Sequence, residues 1–222
     1  MPESIVHNCD CLAAMRLMPD KCYSLAVVDP PYGIGRDGSV RTTSKHGGRK
    51  AHDFKGWDTS APTQEYFNEL FRVSENQIIW GANYFTQMLP ASMGWVVWDK
   101  GQRICNSDGE LAYTSFDRAL RFVTYNRMQL KLEGTIHPTQ KPVKLYRWLL
   151  KNYSKPGDRI LDTHMGSQSS RIAAHQMGFD YTGFEIDAGY FNEGCNRFDE
   201  YMKKYQPAHL EPITKQGQVK LF

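Results

Sequence analysis

The sequence predicts an α/β protein with a doubly wound, mostly parallel, Rossmann-like sheet in three α/β/α layers. Three observations carry that expectation. Short apolar runs of strand length recur along the 222 residues, stretches of helical period separate them, and three of the runs end in an acid. Leu25-Ala26-Val27-Val28 ends at Asp29, Arg159-Ile160-Leu161 ends at Asp162, and the run at 178–184 ends at Glu185. Open α/β sheets bind ligands outside the carboxyl ends of their parallel strands, so these acids are the first candidates for a site.

In chain order, Ile5-Val6 opens a strand near 4–8 that runs out toward Asp10, and a helix follows near 11–18. The second strand, near 24–28, stops at two prolines. Residues 33–56 have no hydrophobic period and are rich in glycine and basic side chains, which reads as a mobile loop. A helix near 63–73 leads into Gln77-Ile78-Ile79-Trp80, a strand near 76–80 closed by Gly81. A strand near 95–99 comes next, and 111–125 reads as a strand pair, or a strand and turn, with a strand near 120–125. One antiparallel edge strand is expected in the region of 94–99 or 120–125. Pro142 suits the first turn of a helix near 143–153, because its missing N–H costs no hydrogen bond there. Strands near 158–162 and 180–185 flank a helix near 168–177, and a helix near 188–204 completes the set.

Three segments carry chemistry. In Asp29-Pro30-Pro31-Tyr32, Pro31 forces Pro30 out of helical geometry and leaves its carbonyl without a helical partner. Asp29 and that carbonyl can accept the two hydrogens of an exocyclic NH₂, and Tyr32 can stack on the attached base. Asp162-Thr163-His164-Met165-Gly166-Ser167 is a strand end and glycine turn before a helix, where free N–H groups face a bound cofactor. Glu185, about twenty residues further on, has the spacing that suits a ribose hydroxyl pair. In His137-Pro138-Thr139-Gln140-Lys141-Pro142, Thr139 and Lys141 offer a hydroxyl and a cation suited to a carboxylate.

These segments resemble, in type, order and spacing, motifs IV, I, II and X of the S-adenosylmethionine-dependent DNA amino-methyltransferases. The resemblance covers roughly 5–205. The family more often reads Asp-Pro-Phe-x-Gly-Ser-Gly-Thr at the cofactor turn. Thr163, His164, Met165 and Gln168 depart from it, while Asp162, Gly166 and Ser167 stay in register. Asp29 precedes the cofactor turn, an order similar to the β class, whose sheet is circularly permuted. The resemblance implies a site-specific adenine methyltransferase with Asp29, Pro30, Pro31 and Tyr32 as catalytic residues. It implies that S-adenosylmethionine is held by Asp10, His137, Thr139, Lys141, Asp162, Gly166, Ser167 and Glu185, with Asp10 accepting from the cofactor's adenine amine. No metal is required.

Composition sets the remaining expectations. With 41% hydrophobic and 23% charged residues the chain can bury one core, which gives a single domain over 1–205 and a flexible tail over 206–222. No run approaches the ~20 apolar residues of a membrane helix and no signal pattern opens the chain, so a cytoplasmic protein is expected. Five cysteines with only Cys9-x-Cys11 close together form neither a disulfide framework nor a zinc site. The net charge of +3 is small, but the charge is unevenly placed.

Arg36, Arg41, Lys45, Arg49 and Lys50 fall in a basic loop at 36–57 that emanates from the catalytic strand end, a DNA-contacting lid. Arg103 and Arg127 mark a minimal target-recognition surface at 101–108 and 126–135. Double-stranded DNA is the expected partner, and members of the class often form homodimers. Gln218, Leu221 and Phe222 resemble the Gln-x-x-Leu-Phe peptide by which bacterial DNA-processing proteins dock on the sliding clamp. Three rival readings stand beside this one. They are a cytosine amino-methyltransferase, which more often carries Ser-Pro-Pro; a protein glutamine methyltransferase, which typically reads Asn-Pro-Pro-Tyr without the permutation; and a catalytically degenerate partner subunit.

Overall fold

The computed structural model describes residues 2–38, 54–101, 107–126 and 134–205. Eight strands form one sheet: β1 (Ser4–His7), β2 (Tyr23–Val28), β3 (Ser74–Trp80), β4 (Trp95–Asp99), β5 (Gly109–Thr114), β6 (Arg121–Thr124), β7 (Arg159–Asp162) and β8 (Asp180–Phe184). The helices are α1 (Cys11–Met15), α2 (Gln64–Val73), α3 (Val143–Tyr153), α4 (Ser169–Met177) and α5 (Ala188–Tyr205), with a 3₁₀ turn at Ala82–Tyr84. The spatial order is β1-β8-β7-β2-β3-β5-β4-β6.

Alternate residues of the central strands feed two cores, as the twofold period of a strand requires. Leu25 and Val27 of β2, Ile78 and Trp80 of β3 and Ile160 of β7 face the layer of α3, α4 and α5. Ala26, Val28, Ile79 and Leu161 face α1 and α2, where Phe67 and Leu70 are fully buried. Because both faces are covered, β2 is an almost unbroken apolar run, the pattern of a buried parallel strand.

The sheet positions the site through its connections. The chain leaves β2 through α2 to β3 on one side and leaves β7 through α4 to β8 on the other, while β2 and β7 pair in parallel. Neighbouring strands whose helices depart in opposite directions leave a crevice at their carboxyl ends, the topological switch point. Asp29 follows one strand and Asp162 ends the other.

One expectation is corrected. The antiparallel strand is neither β4 nor β6 and lies at no edge: β5 runs antiparallel between β3 and β4, and β6 pairs in parallel with β4. Its sequence, Gly109-Glu110-Leu111-Ala112-Tyr113-Thr114, disguises it, since a glutamate in a short run reads as solvent-facing. That glutamate belongs to the site.

Candidate active site

The Asp29-Pro30-Pro31-Tyr32 segment leaves β2 at Val28 and is turned back by Asp58. Asp58 Oδ1 accepts from the backbone N–H of Tyr32 at 2.7 Å and of Gly33 at 2.8 Å, and Oδ2 accepts from that of Arg36 at 2.6 Å. A buried carboxylate thus satisfies the donors of a turn that no regular structure could satisfy. The Tyr32 ring stacks on Tyr84 with centroids 5.1 Å apart and meets Phe85 edge-on. It lies directly over Gly81, where a Cβ would fall 2.1 Å from the ring and where φ is +68°. The Tyr32 hydroxyl donates to Asp29 Oδ1 at 2.7 Å. Burial, reinforced by Asp29, holds this phenol well above its ordinary pKa, so it remains a donor.

The other oxygen of Asp29 meets a lysine. Lys141 Nζ lies 2.5 Å from Asp29 Oδ2, 3.1 Å from Glu110 Oε2 and 3.2 Å from the Tyr32 hydroxyl. Lys100 Nζ lies 2.8 Å from the second oxygen of Glu110. Burial raises the Asp29 carboxyl above its usual range, and the Lys141 charge opposes that rise. Burial pushes Glu110 the same way, but Lys141 and Lys100 overcome it and bring this group down to about 2. Lys141 is 4% exposed, and its ammonium stays charged because the two carboxylates outweigh the burial. The sequence assigned Lys141 to a cofactor carboxylate. Its three hydrogens face Asp29, Glu110 and Tyr32 instead.

The second half of the crevice is the turn after β7. Asp162 is buried beneath it: Oδ1 accepts from the His164 N–H at 3.0 Å and Oδ2 from the Ser170 hydroxyl at 2.5 Å. Burial raises Asp162 to about 7, with the Ser170 and His164 hydrogen bonds opposing. Two of the residues that depart from the family pattern, Thr163 and His164, bond each other. Thr163 Oγ1 is 2.9 Å from His164 Nδ1 and 2.6 Å from the Tyr66 hydroxyl, and His164 Nε2 is 4.0 Å from Cys11 Sγ. Burial keeps His164 neutral by lowering it to about 4 and pushes the Cys11 thiol up to about 12.

Glu185, just beyond β8, receives the N–H of Gly166 at 3.0 Å on one oxygen and that of Asp187 at 2.9 Å on the other. The carboxylate retains a lone pair that can accept a hydroxyl. Across the opening, the His137 ring lies 4.4 Å from that of Tyr190 and 5.3 Å from that of Trp57. Lys55 reaches over the Tyr190 ring to Asp187, 2.7 Å away. Ile186, 67% exposed, presents an apolar side chain beside Glu185. A carboxylate with spare acceptors, an apolar neighbour and an aromatic wall fit a nucleoside with a ribose diol.

One cavity of about 610 Å³ joins the two halves. Asp29, Pro30, Pro31, Tyr32, Arg36 and Lys141 line it, as do His137, Thr139, Gly166, Ser167 and Glu185. Two assigned residues do not reach it. Asp162 is committed to the turn beneath, and Asp10 caps α1, its Oδ1 accepting from the Leu12 N–H at 3.0 Å. Arg41, Lys45, Arg49, Lys50, Arg103 and Arg127 lie outside the described residues, as do Gln218, Leu221 and Phe222. Glu110, Lys100, Asp58, Trp57 and Tyr190 line the cavity and carried no signal that separated them from surface residues. Among the described residues no group of three or more His, Cys, Asp or Glu side chains could hold a metal ion.

Comparison with known proteins finds DNA methylases. Residues 90–195 match the family model N6_N4_Mtase, described as DNA methylase. The type II methyltransferase M.HinfI of Haemophilus influenzae is 24% identical over a 260-residue alignment that covers 92% of this chain and 70% of that protein. The DNA adenine methyltransferase YhdJ of Escherichia coli (strain K12) is 26% identical over 263 residues, covering 96% and 88%. The chain is thus similar to N4/N6 DNA methylases over residues 90–195 and to curated DNA methyltransferases over most of its length. Solved structures share the methylase fold. The M1.HpyAVI–SAM complex superposes with a TM-score of 0.58 at 15% identity over 88% of this chain and 99% of that one. The cytosine-N4-specific PvuII DNA methyltransferase superposes at 0.60 with 12% identity over 92% and 91%.

Proposed function

We propose that this methylase transfers a methyl group from S-adenosylmethionine to the exocyclic amine of a flipped adenine at specific sites in DNA. The observation that carries the reading is the Asp29 carboxylate, fixed by Tyr32 and Lys141 at the switch-point crevice across from Glu185. S-adenosylmethionine supplies an electrophilic methyl group. Glu185, the turn at Gly166 and Ser167, His137 and Thr139 would hold it.

The target nitrogen is a poor nucleophile because its lone pair is delocalised into the ring. Asp29 and the Pro30 carbonyl accept its two hydrogens and favour a tetrahedral nitrogen with a localised lone pair. Positioning of this kind supplies the protein's share of the rate. The amine is paired and stacked inside a duplex, so the base must turn out of the helix, as methyltransferases require. Stacking on Tyr32 and Tyr84 offsets part of that cost, at roughly 1–3 kcal/mol per base. An aspartate at the head of the motif favours adenine over cytosine, and a relative named as an adenine methyltransferase supports that choice.

The catalytic strand precedes the cofactor turn, which we read as a circular permutation of the sheet. The methyltransferase domain spans 1–205, and duplex DNA is gripped by Arg36 with the basic loop at 36–57 and by the surfaces at 101–108 and 126–135. The enzyme works in the cytoplasm; no helix of the described residues is long and apolar enough to cross a membrane. Light scattering tests the homodimer, and deletion of 218–222 tests clamp docking through loss of co-migration. Labelled S-adenosylmethionine incubated with DNA, followed by mass analysis of the nucleosides, tests the activity. N6-methyladenine is the expected product. N4-methylcytosine selects the cytosine reading, and absence of label from DNA refutes both.

A further inference from the structure

We infer that Lys141, Glu110 and Lys100 are positioning residues that fix the Asp29 carboxylate for the target amine, an inference that rests on the proposed methyl transfer. The geometry is an unbroken chain of alternating charge. Asp29 Oδ2 meets Lys141 at 2.5 Å, Lys141 meets Glu110 at 3.1 Å, and Glu110 meets Lys100 at 2.8 Å. Lys141 also lies 3.2 Å from the Tyr32 hydroxyl, which itself donates to Asp29 Oδ1. Both carboxylate oxygens are thereby anchored, and the lone pairs left over are the ones that face the cavity.

The chain is a costly way to fill space. Replacing buried ion pairs by apolar side chains is often neutral or stabilising, so a four-charge cluster has weak justification as a stability device. Its position gives it a justification in function, since Asp29, Lys141, Glu110 and Lys100 all line the cavity. Aromatic rings wall the cations: Lys141 Nζ is 5.3 Å from the Trp80 ring centroid and 5.8 Å from that of Tyr32, and Lys100 Nζ is 5.3 Å from that of Trp98. Glu110 has a distinct part. A lysine paired with Asp29 alone would compete with the target amine for the carboxylate. A second carboxylate shares the ammonium and leaves Asp29 available.

The two partners act on Asp29 with opposite sign. Lys141 favours its charged form and Glu110 disfavours it. The other titratable groups facing Asp29 are Tyr32 on its own segment, Tyr66 on α2, Tyr146 on α3 and Asp162 on β7. The three tyrosines are held far above their ordinary range by burial and stay neutral, and Asp162 is unchanged in the variants below.

The test is the pH profile of kcat at saturating DNA and cofactor for wild type, Lys141→Met and Glu110→Gln, with cofactor Kd and DNA KM measured on each. Lys141→Met should lower kcat at least ~10-fold and move the acidic limb up by roughly one pH unit or more. Glu110→Gln should lower kcat and move the same limb down, with Kd and KM within about twofold of wild type. Limbs that move together, or a Glu110→Gln limb that stays in place, overturn the proposal. If Lys141→Met does not fold, the isosteric Glu110→Gln decides alone. A wild-type protein that methylates no DNA overturns the functional reading instead, before any variant is compared.

Discussion

Gly81→Ala probes how closely catalysis depends on the placement of Tyr32. A Cβ at Gly81 would sit 2.1 Å from Tyr32 Cε1, where ordinary contact begins near 3.4 Å, so the ring must retreat by more than 1 Å. That retreat cannot be made while the hydroxyl keeps its 2.7 Å bond to Asp29 and the ring its stack on Tyr84. The substitution also puts a side chain at φ +68°, which costs roughly 1–2 kcal/mol of stability. A displacement of about 1 Å at a reacting centre costs on the order of 10²-fold in rate, and that is the expected fall in kcat on a defined duplex. Cofactor affinity should hold, since Gly81 is on the far side of the cavity from Glu185. The effect must run through Tyr32, so in a Tyr32→Leu background the same substitution should cost much less. A Gly81→Ala enzyme within about threefold of wild type, or an equal loss in both backgrounds, would refute the reasoning.

Glu185→Ala should weaken S-adenosylmethionine by roughly 1.5–3 kcal/mol, the worth of hydrogen bonds to a charged group, and leave DNA affinity nearly unchanged in equilibrium titrations. Asp162 titrates in the folded protein at about 7, above the ~3.9 of an unfolded chain. The stability it contributes is therefore complete below pH ~4 and is lost as pH rises through about 7. Denaturant titrations of Asp162→Asn should show a smaller decline across that window; an identical decline would remove the shift. Neutralising Arg49 and Lys50 should lower DNA affinity and reduce the log–log salt slope by about 0.9 for each phosphate that these side chains pair with in the wild type.

The parts of the fold legible in the sequence are those whose signal is local. Leu25-Ala26-Val27-Val28 and Arg159-Ile160-Leu161-Asp162 are strands because a strand covered on both faces must be apolar throughout, and their terminal acids mark the ligand end. Pro142 sets the start of α3, as the loss of a donor there is free. The antiparallel β5 was hidden because its buried glutamate makes sense only beside Lys141 and Lys100, from segments distant in the chain. The same holds for Asp58, whose three backbone partners lie 22 to 26 residues before it. The sequence offered Asp162 and Lys141 to a cofactor, but a sequence does not say which way a side chain turns. One turned down to hold a loop and the other toward Asp29.

The central claim is a division of labour within one crevice, with Asp29 addressing the target amine and Glu185 the cofactor. Asp29→Ala measured for both functions on the same preparation tests it most directly. Cofactor Kd should stay close to wild type and kcat should fall by at least roughly 10²-fold, the scale of a lost positioning group at a reacting centre. Turnover within tenfold of wild type, or cofactor binding lost together with turnover, would contradict it.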